Sequence, residues 1–127
     1  GNEFNTTHPM ARKFIIESCL YWVKEFGIDG FRFDLMGLID IDTINEIKEK
    51  CHLLKSDFII YGEGWDMPST LPGDKKTKMY NANKVNGVGF FNDRFRDIVK
   101  GKSSDMELAV KGYLLGDFNY IDLNMSF

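Results

Sequence analysis

Two carboxylates carry the most chemical information in the chain. Asp34 closes the run Gly30-Phe31-Arg32-Phe33-Asp34, and Glu63 follows Phe58-Ile59-Ile60-Tyr61-Gly62. Each ends an apolar, strand-like stretch with glycine close by, and one strand–helix–strand unit separates them. A parallel β/α barrel brings two acids to one rim in this way. Such a pair performs double displacement at an acetal carbon, the chemistry of glycoside cleavage, with one carboxyl as nucleophile and the other as acid and base. Arg32 lies two residues before Asp34, so both project from the same strand face, and the fixed positive charge suits Asp34 to the nucleophile. Glu63, beside an anion in a partly apolar setting, suits the acid. Trp65 is placed to stack on a sugar ring near that acid.

Taken singly, each of these residues has a plainer reading. An Arg and an Asp at i and i+2 on a strand more often form a structural ion pair. A lone Glu after a strand is more often surface or cap, and a lone Trp more often anchors core or loop. Their convergence at the ends of neighbouring strands, with glycines allowing close approach, favours a site.

The elements that must position these residues alternate along the chain. Thr7 reads as a helix N-cap with Pro9 in the first turn, where a missing N–H costs nothing. Met10, Phe14, Ser18, Trp22 and Phe26 recur every four residues, flanked by Ile15, Cys19 and Val23, and predict one broad apolar helix face closed by Gly27 in the left-handed manner. Residues 28–35 follow as a strand, with Arg32 and Asp34 on one face and Phe31, Phe33 and Leu35 on the other. An arginine and an aspartate on an inner face are costly in an ordinary core but build a polar site near the open end of a barrel.

Thr43 and Glu46 form a capping box for a second helix with Ile44, Ile47, Cys51 and Leu54 as its apolar stripe. Residues 58–61 form the next strand. A long connection then runs from Gly64 to about Asn86 and is expected to be functional or mobile. A third strand at residues 88–91 precedes a helix at 93–99 capped by Asn92. Ser104 and Glu107 form a further capping box, for a helix running to Leu115 and stopping at Gly116. Residues 118–127 are apolar but irregular.

The order helix–strand–helix–strand–loop–strand–helix defines an α/β class with a parallel sheet, because long crossovers separate the strands. Three strands do not close a barrel, which needs eight in about 250 residues. The 127 residues give about half of one.

Composition narrows the alternatives. A hydrophobic share of 43% and a charged share of 28% are those of a soluble globular protein. The 14% aromatic share, led by eleven Phe, points mainly to a rich core. A net charge of −3, with no basic stripe interleaved with aromatics, argues against nucleic acid. Lys75, Lys76 and Lys78 read as a solvated basic loop. Cys19 and Cys51 fall on helices without metal-ligand spacing and read as buried free thiols. His8 sits in a helix cap and reads as structural; with His52 as the only other histidine, neither a histidine zinc site nor a Ser–His–Asp triad has many parts to draw on. No apolar run is long enough to cross a bilayer.

At this point the residues resemble a known family. The strings Asp29-Gly30-Phe31-Arg32-Phe33-Asp34-Leu35-Met36-Gly37 and Tyr61-Gly62-Glu63-Gly64-Trp65 are similar to the second and third signature regions of the α-amylase superfamily, in the form found in type I pullulanases. Pro9-Met10-Ala11-Arg12-Lys13-Phe14-Ile15-Ile16 and Gly89-Phe90-Phe91-Asn92-Asp93-Arg94-Phe95-Arg96 resemble the same subfamily. The resemblance implies a partial (β/α)8 TIM barrel covering roughly the fourth to sixth strands, with residues 1–127 a central segment of the catalytic domain and the first and last barrel strands outside it. It implies Asp34 as nucleophile, Glu63 as general acid/base and Arg32 beside the nucleophile, with Trp65 and Met36 as substrate contacts. The implied activity is hydrolysis of α-1,6-glucosidic links in pullulan and branched α-glucans; another α-amylase-type enzyme, or a non-catalytic α-glucan-binding module, is the alternative.

Two parts of the family pattern are missing from the chain. The first signature, an Asp/Asn/His run on an earlier strand, is absent, and so is the later His-Asp pair that supplies a third carboxylate. The chain by itself is therefore predicted to be inactive and, through unsatisfied sheet edges and exposed apolar helix faces, to associate with itself. No organic cofactor is implied. Calcium occurs in many relatives of the family, but no ligand cluster in the sequence points to it.

Overall fold

A computed structural model describes residues 4–101, 111–116 and 118. The chain divides into two compact units, residues 1–91 and 92–127. The first unit holds helix α1 (Pro9–Phe26), strand β1 (Gly30–Phe33), helix α2 (Ile41–Leu54), strand β2 (Ile59–Gly62) and strand β3 (Gly89–Phe90). The three strands form one parallel sheet in the order β1-β2-β3. Short 3-10 turns occupy Met36–Leu38 and Met79–Lys84. The parallel α/β class expected from the pattern is the one observed.

The core is apolar and lies on one side of the sheet. Ile16, Cys19 and Val23 of α1 meet Ile44, Ile47 and Cys51 of α2, together with Met36, Phe58, Ile60 and Val85; Phe31 and Phe33 pack against them. Of the broad face expected for α1, the flank of Cys19 and Val23 is the part that is buried. Met10, Phe14, Trp22 and Phe26 are exposed. Two apolar stripes run side by side on this helix, and the slimmer one, of Ile16, Cys19 and Val23, allows close approach to α2. Leu54 at the end of α2 also points outward. Gly27 does close α1 in the left-handed region, with φ 63° and its N–H on the Val23 carbonyl.

Both helix caps sit earlier or later than the sequence suggested. His8, not Thr7, caps α1, its ring accepting from the Met10 N–H. Asp40, not Thr43, caps α2 and accepts from the Thr43 N–H at 3.1 Å. Asp40 is buried, and Arg12 of α1 reaches it at 2.8 Å, joining the two helices. Burial opposes its ionisation, but hydrogen bonds with Thr43 and Thr6 and the Arg12 charge outweigh that and hold its carboxyl below the usual carboxylate range.

The long connection after β2 is anchored along its length. The Ile41 N–H donates to Lys75 O, the Thr77 N–H to Ile39 O and the Met79 N–H to Gly64 O. Asn81 donates from its amide to Gly73 O and Lys76 O. The expectation of a solvated lysine loop is corrected here. Lys75 is exposed, but Lys76 is buried, and both Lys76 and Lys78 pair with Asp66.

In the second unit, α3 (Asp93–Lys100) is capped by Asn92, which accepts from the Phe95 N–H. The expected capping box at Ser104 lies outside the described residues. The stretch expected to end its helix is a 3-10 turn, Tyr113–Leu115, with Gly116 left-handed at φ 88°. Apart from Phe118, residues 118–127 also lie outside the described residues.

Candidate active site

The parallel register brings the two carboxylates together. Phe33 pairs with Gly62, so the next residues, Asp34 and Glu63, leave the sheet side by side at its carboxyl edge. One arginine joins them. Arg32 donates to Asp34 Oδ1 at 2.8 Å and to Glu63 Oε1 at 2.5 Å. Such charge-assisted bonds from a planar fork fix orientation as well as charge. The environments of the two acids differ: Asp34 is largely open to solvent, whereas Glu63 is buried.

A second donor fixes Glu63. Leu35 takes a left-handed backbone at φ 45°, where a non-glycine residue costs on the order of 1–3 kcal/mol. That conformation turns the chain directly after Asp34 and aims the Leu35 N–H at Glu63 Oε2, 2.8 Å away. The Gly37 N–H then bonds the Glu63 carbonyl at 3.2 Å. A Cβ at Gly37 would overlap the Trp65 carbonyl oxygen, so only glycine lets these two turns approach so closely. The turn after β1 and the turn after β2 thus hold each other, with Glu63 between them.

Phe91 completes the rim, and the sequence reading did not single it out. It lies one residue beyond β3, as Asp34 and Glu63 lie one beyond β1 and β2. Its ring centroid is 5.6 Å from the Arg32 guanidinium carbon, and its edge meets Tyr61. The signal that could have found it is the shared offset from the strand end. A cation over an aromatic face helps to hold the guanidinium in place.

Trp65 is partly exposed two residues beyond Glu63. Met36 is placed otherwise than expected. It is fully buried in the core, and a Cβ on Gly62 would touch its Cβ and Sδ, so it supports β2 from below and presents no surface to a ligand. Asp34 also lines an open, mostly apolar cleft of about 420 Å³ with Phe4, Phe14, Ile15 and Leu35 among its walls. Cys19 and Cys51 are free and buried, as read from the sequence. Among the described residues no group of His, Cys, Asp and Glu could hold a metal ion, and no helix is long and apolar enough to cross a membrane.

Parallel strands thus deliver two carboxylates to one edge of an α/β segment, bridged by an arginine. Comparison with known proteins narrows the class. No protein-family model matches the chain. The pullulanase of Bacillus subtilis (strain 168) is 45% identical over 117 residues, which is 92% of this chain and 16% of that protein. The structure of a pullulanase from Anoxybacillus sp. LM18-11 complexed with maltotriose superimposes with a TM-score of 0.85 at 48% identity, covering 89% of this chain and 16% of that one. A type I pullulanase structure from Bacillus subtilis complexed with maltose gives 0.84 at 45% identity, over 88% of this chain and 15% of that one. The chain is homologous to the pullulanases and spans about one-sixth of the length of these three.

Proposed function

We propose that this chain is the central part of the catalytic barrel of a retaining α-glucan debranching enzyme, acting within a longer polypeptide on α-1,6 links of pullulan and branched α-glucans. The observation that carries the reading is the Arg32 bridge between Asp34 and Glu63 at adjacent strand ends. Glu63 protonates the glycosidic oxygen while an Asp34 oxygen attacks the anomeric carbon, forming a glycosyl ester. Glu63 then takes a proton from water, which attacks the same carbon and releases Asp34. Arg32 holds the charge balance between the two steps, and Trp65 stacks on a sugar ring. Delivery of the Glu63 proton requires one of its oxygens to leave its present donor, Arg32 or Leu35, and face the leaving oxygen. The strands are read as the fourth to sixth of the barrel, and a third carboxylate comes from another part of it.

The test is turnover of pullulan by the complete polypeptide. Glu63→Gln is expected to lower kcat by roughly 100- to 10,000-fold, the usual value of a positioned acid, without unfolding the barrel. Asp34→Asn is expected to form no glycosyl-enzyme, so a covalent intermediate trapped on that variant would refute the nucleophile assignment. The 127-residue chain alone is expected to be inactive.

A further inference from the structure

Lysine is almost never found fully inside a protein unless it is paired. The Lys76 side chain is only 7% exposed, and its Nζ lies 3.1 Å from Asp66 Oδ1 and also donates to the Met67 carbonyl. Lys78 takes the other carboxylate oxygen at 2.7 Å. Lys78 foremost, and then Lys76, hold the Asp66 carboxyl below the usual carboxylate range. The backbone on the lysine side is fixed independently. Lys76 forms a β-bridge with Asp40 at the start of α2, its carbonyl accepts from Asn81, and its neighbour Thr77 is fully buried with its N–H on Ile39. Asp66 and Met67 have no such seat in an element: they follow directly on Glu63, Gly64 and Trp65. The lysine therefore reaches from the rigid body of the unit to the segment next to the acid.

We propose that Lys76 is a positioning residue, which through Asp66 and the Met67 carbonyl fixes residues 64–67, and with them Trp65, as a preformed rim for glucan beside Glu63. The inference rests on the reading of this edge as a glucan site. A segment held by a buried cation is ordered before ligand arrives, so less ordering is left to be done on binding. Without that cation, residues 64–67 keep the Met79 N–H on Gly64, the Gly37 contact and the Lys78 pair with Asp66, but lose the tie of the Met67 carbonyl and of one Asp66 oxygen to a buried side chain.

The experiment uses the complete polypeptide and two variants, Lys76→Met and Asp66→Asn, the second acting from the solvent side if the first fails to fold. Backbone amide exchange by mass spectrometry reads the clamp without any substrate. Residues 64–67 are expected to exchange roughly ten-fold faster in either variant while α1 is unchanged. Titration with maltotriose is expected to show roughly ten-fold weaker binding, with kcat on saturating pullulan changed much less than KM. Unchanged exchange at residues 64–67 overturns the proposal. Equal acceleration in α1 also overturns it, because Lys76 then supports the whole unit rather than the rim. Failure of the unaltered polypeptide to bind maltotriose sinks the glucan-site reading instead, and the exchange result then decides the clamp by itself.

Discussion

Replacing Arg32 with methionine removes the guanidinium that touches both carboxylates while keeping most of the side-chain volume. The structure says how the loss divides between them. The Glu63 side chain is 11% exposed and meets Arg32 at 2.5 Å, whereas the Asp34 side chain is 71% exposed and meets it at 2.8 Å. A hydrogen bond to a charged group shielded from water contributes about 1.5–3 kcal/mol. An ion pair largely in solvent contributes about 0.2–1 kcal/mol. Two double-mutant cycles separate the terms, one pairing Arg32→Met with Glu63→Gln and the other pairing it with Asp34→Asn. Urea unfolding of the chain at pH 7, followed by circular dichroism at two protein concentrations to exclude association, gives the free energies. The Arg32–Glu63 coupling is expected at about 1.5–3 kcal/mol, at least twice the Arg32–Asp34 coupling. In 1 M salt, where the screening length is about 3 Å, the Asp34 coupling should nearly vanish and the Glu63 coupling should persist. A larger coupling to Asp34 than to Glu63 would refute the reasoning, since burial and not mere proximity is what makes the pair strong.

Three further outcomes follow from other parts of the unit. Asp40 has a folded-state carboxyl below its ordinary value of 3.8, so the stability it contributes is present above that value and is lost as pH falls through the lower folded one; Asp40→Asn keeps a capping oxygen but removes the charged bond to Arg12, so it should cost about 1.5–3 kcal/mol at pH 7 and should flatten the fall in stability between pH 5 and pH 2.5, measured by urea unfolding. Burial, with some repulsion from Cys51, pushes the Cys19 thiol up to about 12, and burial also raises Cys51; neither should react with a disulfide reagent at pH 8 until the chain unfolds, and fast modification of the native chain would contradict the packing of α1 on α2. Gly37→Ala places a methyl group against the Trp65 carbonyl oxygen; it should disturb the acid and the rim together, seen as a changed near-ultraviolet aromatic spectrum, and an unchanged spectrum would argue against the interlocked turns.

Much of this arrangement was legible in the residues because it rests on short-range rules. Alternation along a strand puts Arg32 and Asp34 on one face, and a carboxylate one residue past a strand has little choice but the sheet's edge. Gly27 and Asn92 announced their caps for equally local reasons. What was not legible depends on partners distant in sequence. Period alone does not say which of two adjacent apolar stripes of α1 is inside, because that is set by how near α2 must come. Thr43 has the chemistry of a cap, yet Asp40 takes the position, as its carboxylate also meets Arg12 across 28 residues. Lys76 looks like its neighbours in a basic run, and only the fold of the loop brings Asp66 to it. Met36 was expected at a surface; the left-handed Leu35 turns the chain so that it enters the core.

The sheet itself gives a physical reason to expect the chain alone to be inactive. A parallel sheet is ordinarily covered on both faces. Here α1 and α2 cover one, while Ile59 and Tyr61 stand exposed on the other, the face that also carries Arg32. On that face Gly30 lies beside Ile59, and Arg32 beside Tyr61, which has Gly89 on its other side. Gly30 and Gly89 leave open space over the sheet beside Ile59 and Tyr61. The exposed stripe of Met10, Phe14, Trp22 and Phe26 on α1 is a second apolar surface left open. Enclosure matters to the chemistry because charges stabilise a transition state far better where water is excluded. With Asp34 in solvent and Arg32 40% exposed, the pair is in place but wet. Burying Ile59 and Tyr61 under further chain would exclude water from beside Arg32 and lower the dielectric around the two carboxylates it bridges.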